Sequence, residues 1–217
     1  QEYIKANEVV RKLAKYFPDN PKRLAEVLRL AIVTGRYEDI EKYYNTFTNL
    51  NERNETLIKY ASAALVVGGK YYLSTKGNQA RAIDLFRKAV ISSASKLSVL
   101  VEVITSLLEY KLVKDADAFV KRFPPEAFNS VEFLKMRFLV SAATEGSHSI
   151  TAEQGQALIA RGIIDERVYR TLIQIYVDSG IPRLAEDLII DAVRHFPDKK
   201  AELEAIIKAG PRELPKT

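Results

Sequence analysis

The feature that most constrains this chain is a recurring stop, an aromatic residue followed by proline, at the end of three apolar-periodic stretches. It appears as Phe17-Pro18-Asp19, in a looser form as Phe123-Pro124-Pro125, and as Phe196-Pro197-Asp198. Proline has no backbone N–H and its ring collides with the preceding turn, so each stop marks the end of a helix. Pro18, Pro124 and Pro197 stand 106 and 73 residues apart, close to three and two multiples of a period of about 35 to 36 residues. Self-similarity at that length belongs to helical hairpins, each burying its apolar face against its neighbours. The expected fold is all-α.

The segment from Asp165 to Pro197 states the unit most fully. Asp165 caps a helix whose Tyr169, Leu172, Ile173 and Tyr176 follow the i, i+3, i+4, i+7 spacing of one face. Gly180 ends it and Pro182 opens a second helix, where a missing N–H costs nothing. Ala185, Leu188, Ile189, Ala192 and Phe196 form the second apolar stripe. A similar run joins Tyr71-Tyr72-Leu73, Gly77-Asn78, Ala82, Phe86 and Ala89. Its first helix begins near Glu55 and contains Gly68-Gly69, each costing roughly 1 kcal/mol relative to alanine. A kink or a close helix crossing is the expected reason.

These two segments resemble the tetratricopeptide repeat, a unit of about 34 residues. In that family the first helix carries an aromatic, Leu and Tyr, the turn a small residue, and the second helix Ala, a large apolar residue, Ala and Pro. Tyr169, Leu172, Tyr176, Gly180, Ala185, Ile189, Ala192 and Pro197 stand at those offsets, with Ile173 replacing the usual glycine. The resemblance implies a right-handed α-solenoid of antiparallel helical hairpins, with about 11 to 12 helices.

Weaker units are expected between them. Asn20 and Pro21 open a helix with Leu24, Val27, Leu28 and Ala31, turning at Gly35 and Tyr37 into a helix with Ile40, Tyr44 and Phe47. Residues 2–17 read as a lone second helix with Ala6, Val10 and Leu13 inward, and a pair spans Ser98–Lys111 and Lys114–Phe123. The unit Ser130–Gly162 is irregular: a loop at 145–151 parts its helices, and Thr151 with Gln154 makes a capping box. One repeat domain is expected over 1–208, with a half-hairpin at 1–18, hairpins near 20–50, 55–94, 97–124, 130–163 and 165–197, and a short helix at 198–208. The tail 209–217, with Pro211 and Pro215, lacks an apolar face and is expected to fray. Because the chain opens at Gln1 on a half-hairpin, an upstream piece is expected, either further repeats or a removed signal segment. The compartment stays open between cytoplasm and cell envelope.

Composition limits the chemistry. The chain has no cysteine, which excludes disulfides, thiolate metal sites and cysteine nucleophiles. His148 and His195 are the two histidines, 47 positions apart, and cannot assemble a metal cluster between them. No phosphate loop or nucleophile motif appears, and Ser147-His148-Ser149 reads as a polar turn. The expectation is a non-enzymatic chain without cofactor or metal. The net charge is +5, of which +4 falls on residues 1–36; such a balance suits an acidic partner or a nucleic acid, and a solvated helix face is the expected reading.

What the family resemblance implies about binding is a concave groove lined by the first helices of successive hairpins. Its offsets place Lys22, Glu26 and Arg29 in the groove from one unit, and Val67 and Tyr71 from the next. Glu102, Thr105 and Glu109 follow from another, and Arg167, Arg170, Thr171, Gln174 and Asp178 from the last. The leading expectation is a scaffold or adaptor holding a peptide or helix of a partner protein, with Arg29, Tyr71 and Arg170 as anchors. The stretch Val168–Gly180 also resembles the first helix of a pentatricopeptide RNA reader, but in one unit alone, which makes nucleic acid the less favoured partner. Self-association into a homo-oligomer is the third reading. No apolar run is long enough for a transmembrane helix.

Overall fold

A computed structural model describes residues 2–16, 20–37, 39–40, 42–43, 55–75, 77–144 and 148–212. Among these the fold is all-α, with eleven α-helices packed in neighbouring pairs and no strand. That arrangement is compatible with a helical repeat. The chain divides into two compact units, Gln1–Pro124 and Pro125–Thr217.

In the first unit α1 (Glu2–Tyr16) packs on α2 (Pro21–Thr34), and α2 packs on α3 (Glu55–Ser74). Helix α3 also packs on α4 (Gln79–Ser92) and α5 (Leu97–Glu109), and α5 pairs with α6 (Val113–Val120). Local signals set the ends. The Asn20 side chain accepts from the Arg23 N–H at 3.1 Å and Pro21 takes the first turn. Gly35, with φ +67°, closes α2 by donating to the carbonyls of Ala31 and Ile32. Asn78 caps α4 in the same way through Arg81. Leu100, Ile104, Leu107 and Ala116 are fully buried, as their spacing predicts, and so is Ile40; Tyr44 and Phe47 lie outside the described residues.

The Gly68-Gly69 pair is a close crossing within an unbroken helix of 20 residues. A Cβ on Gly69 would run into the fully buried Phe86 ring, and one on Gly68 would touch Leu85 and Ile40 at 3.4 and 3.5 Å. The absent side chains let α4 approach α3 far enough to bury that ring.

Helix α1 corrects the expected inward stripe. Asn7 and Ala14 are the buried positions, while Ala6 and Leu13 are exposed and Val10 is half-buried. The Asn7 amide donates to the Thr34 hydroxyl at 3.0 Å, and Arg11 pairs with Asp39 at 3.2 Å. Polar contacts to α2 and the residues after it rotate the helix away from the face that hydrophobicity alone selects. Tyr3, Ile4, Val9, Leu13 and Tyr16 are left exposed.

In the second unit a 3-10 turn (Pro125–Ala127) precedes α7 (Val131–Ala143), α8 (His148–Ala160), α9 (Glu166–Asp178) and α10 (Pro182–His195). A second 3-10 turn (Pro197–Lys199) leads to α11 (Lys200–Ala209). Helix α9 packs on α7, α8, α10 and α11, so its buried residues lie on several sides. Asp165 caps it, accepting from the N–H groups of Arg167 and Val168 at 3.0 and 3.3 Å. Pro182 opens α10, where Ala185 and Ala192 are fully buried beside Ile189, with Leu188 and Phe196 half-buried.

Two of the three aromatic-proline stops end helices as expected. Helix α6 finishes at Val120 and turns into the buried Phe123, and α10 finishes where the Phe196 N–H donates to Ala192 at 2.8 Å. Phe17-Pro18-Asp19 lies outside the described residues.

Two local expectations are overturned here. Helix α8 starts at His148, so residues 148–151 are helical and Thr151 is an interior residue, 1% exposed, instead of a cap. Thr151, Gly155 and Leu158 share one buried face at i, i+4, i+7, and packing of that face prevails over the capping preference of Thr151. At the C-terminus the chain beyond Gly210 does not leave the fold at once. Arg212 is held on Asp178 by three hydrogen bonds, from its backbone N–H at 2.9 Å, from Nε at 2.9 Å and from Nη2 at 2.6 Å.

Candidate binding surface

Each unit sets the first helices of its hairpins side by side. In the first unit α3 lies between α2 and α5, and in the second α9 lies between α7 and α11. The residues expected to bind a partner sit on these helices, and most already have partners of their own.

On α2, Lys22 is exposed, whereas Arg29 is half-buried and doubly bonded to Glu26 at 2.8 and 2.5 Å. Hydrogen bonding to Arg29 holds the Glu26 carboxyl below its ordinary pKa, and the same bond raises the guanidinium. On α3, Val67 and Tyr71 are half-buried. The Tyr71 ring tilts against Tyr37 with centroids 4.6 Å apart and meets Tyr72 edge-on at 5.5 Å. Arg81 lies over the Tyr72 ring, 4.5 Å from its centroid. The turn after α2 is thereby tied to the middle of the row.

On α5, Glu102 and Glu109 are exposed and Thr105 is half-buried. Glu102 accepts from Lys70 of α3 at 2.9 Å, which links two neighbouring first helices. Lys70 stands next to Tyr71 and was absent from the sequence-derived set. A lysine on one helix and a glutamate 32 residues later on another carry no local signal of pairing.

The second unit repeats the pattern with more charge. Arg170 of α9 donates to Glu166 one turn back at 3.0 Å and to Glu202 of α11 at 2.5 Å. Lys199 also donates to Glu202, at 3.0 Å, and these two cations hold that carboxyl below its usual pKa. At the other edge, Lys135 of α7 reaches the capping Asp165 at 2.6 Å. Arg167 is exposed and Thr171 half-buried.

Gln174 and Asp178 mark the far end of α9. The Gln174 amide donates to Asp178 at 2.8 Å, and the Asp178 side chain, 9% exposed, is covered by Arg212. Burial alone would raise this carboxyl. The hydrogen bonds from Arg212 and Gln174 outweigh that and bring it below 3.8. Behind this face the Tyr169 hydroxyl donates to Asp191 of α10 at 2.7 Å, and burial together with that bond pushes it up to about 12.

Each unit thus has a surface of mixed charge whose ion pairs set side-chain positions in advance. Such exposed pairs contribute little stability, about 0 to 1 kcal/mol each, so a partner can exchange them at modest cost. Among the described residues no group of three or more His, Asp or Glu side chains could hold a metal ion. No described helix is long and apolar enough to cross a membrane.

No family model matches the sequence. A stretch of 94 residues, 42% of this chain, is 31% identical to tyrosine-protein phosphatase 3 of Schizosaccharomyces pombe (strain 972 / ATCC 24843). It spans 31% of that protein's length. This likeness to an enzyme overturns the expectation of a non-enzymatic chain, although a match of that extent does not give the chain the relative's activity.

Proposed function

We propose that this protein is a tetratricopeptide-like repeat module that binds an extended peptide or a helix of a partner protein across the exposed faces of its first helices, as part of a larger assembly. The observation that supports this reading is the adjacency of those helices within each unit, α3 with α2 and α5, and α9 with α7 and α11. In the first unit Lys22, Val67 and Thr105 offer a cation, an apolar contact and a hydroxyl. The anchors chosen from sequence, Arg29, Tyr71 and Arg170, are pre-positioned by Glu26, Tyr37 and Glu202. Pre-positioned side chains lose less entropy on binding, which favours an anchor role.

The test is selection from a displayed random-peptide library against the purified protein. Enriched peptides should lose about tenfold or more in affinity when Val67→Arg and Thr105→Glu are introduced together, the loss expected for about 1.4 kcal/mol of contact energy. Unchanged affinity, or no enrichment, refutes the reading.

Exposed Val9, Leu13 and Tyr16, which share one face of α1 at i, i+4, i+7, favour a second reading, self-association through that helix. Light scattering over a concentration range should then show mass growth that Leu13→Lys abolishes. A constant monomer mass ends it.

A further inference from the structure

Between α7 and α8 the second unit has a cavity of about 130 Å³, lined by Leu134, Arg137, Gln154, Ala157, Leu158 and Arg161. We propose that this cavity is a docking site for an acidic peptide segment of a partner protein, one apolar side chain entering it and flanking carboxylates meeting the two arginines. The site lies within one hairpin and does not rest on the reading of the first-helix faces given above.

Two observations point to that occupant. The first is size and lining. The walls are largely apolar, and a cavity of roughly 150 Å³ accommodates a benzene ring, so this one suits a single side chain and is too small for a larger ligand.

The second is charge. Arg137 and Arg161 are both exposed, and among the described residues neither side chain has an ion pair or a hydrogen bond. Several other bases of the same unit are engaged, Lys135 with Asp165, Arg170 and Lys199 with Glu202, and Arg212 with Asp178. Two unengaged guanidinium groups on one cavity select an anion, and their forked donors match carboxylates.

A carboxylate and an apolar side chain occur together in an acidic peptide, whereas nucleic acid supplies phosphate without an apolar side chain of that size.

The experiment is fluorescence anisotropy on the full chain with a labelled short peptide of aspartate and glutamate around one central phenylalanine. Its controls are the same peptide with asparagine and glutamine, and a labelled single-stranded oligonucleotide. Saturable binding of the acidic peptide is expected, weakened about tenfold or more by Arg137→Gln with Arg161→Gln, and likewise by Ala157→Phe, which fills the cavity. The arginine pair is exposed, so its replacement should leave the helical circular-dichroism spectrum unchanged and keeps the test open if Ala157→Phe fails to fold. Absence of binding, equal binding of the neutral peptide, affinity indifferent to the arginine variant, or preference for the oligonucleotide would each overturn the proposal.

Discussion

The hairpins α3–α4 and α7–α8 use the same device and end differently. In both a glycine on one helix lies beneath a buried phenylalanine of the other: Gly69 under Phe86 in the first, Gly155 under Phe138 in the second. In α3–α4 large apolar residues on both helices seal the contact, with Leu57, Leu65, Leu85 and Phe86 at or near zero exposure. Helix α8 buries Thr151, Gly155 and Leu158, and its other cavity-facing residues are Gln154, Ala157 and Arg161. A close glycine approach sets the distance between helices at one point. Whether the rest is filled depends on side-chain volume one turn away, and α8 lacks that volume.

The sharpest test compares the two glycines. Gly69→Ala should destabilise the protein by about 3 kcal/mol, since its Cβ would overlap the buried Phe86 ring, and Phe86→Leu should recover part of the loss. Urea unfolding of the two single variants and the double variant measures both. Gly155→Ala should cost less, about 1 to 2 kcal/mol, because its Cβ meets Phe138 at 2.8 Å and Leu172 at 3.1 Å. Equal losses at the two glycines would show that the cavity beside α8 gives no relief.

Helix caps should differ little between the units. Asp165→Ala and Asn78→Ala should each cost about 1 kcal/mol in thermal unfolding. The first should be somewhat larger because it also strands Lys135.

The smallest effect concerns the clasp at Asp178. Its folded pKa lies below the ordinary 3.8, so the contribution is present at neutral pH and is lost as pH falls through the folded value. The Arg212 side-chain N–H signals in NMR should stay shifted through the ordinary carboxylate range and move to free-arginine positions only at lower pH. Asp178→Asn should abolish the transition, and a clasp that opens at neutral pH would contradict the geometry.

Much of the fold was legible because its signals act within a turn or two. Asn20, Asp165, Pro21, Pro182 and Gly35 act at the helix ends where they were expected, and the stripes at Leu100, Ile104, Leu107 and at Ala185, Ile189, Ala192 are buried. The misreadings fall where a distant contact competes with a local preference. Thr151 looks like a cap and is buried, while Leu13 looks inward and is exposed because Asn7 bonds Thr34. For the residues expected to line a binding surface, the helix was legible and the state of the side chain was not. Arg29, Arg170 and Asp178 stand on first helices as read, but only the coordinates reveal that Glu26, Glu202 and Arg212 engage them.

The sequence by itself determined an all-helical chain and the ends of its clearest helices, because backbone hydrogen bonding, capping and helical periodicity depend on residues a few positions apart. Only the tertiary structure decided which face of α1 is buried, which charges are paired, and that α7 and α8 leave a cavity between two unengaged arginines. Those outcomes depend on distances between groups separated by tens of residues, and on volume summed across neighbouring helices, neither of which a local pattern encodes.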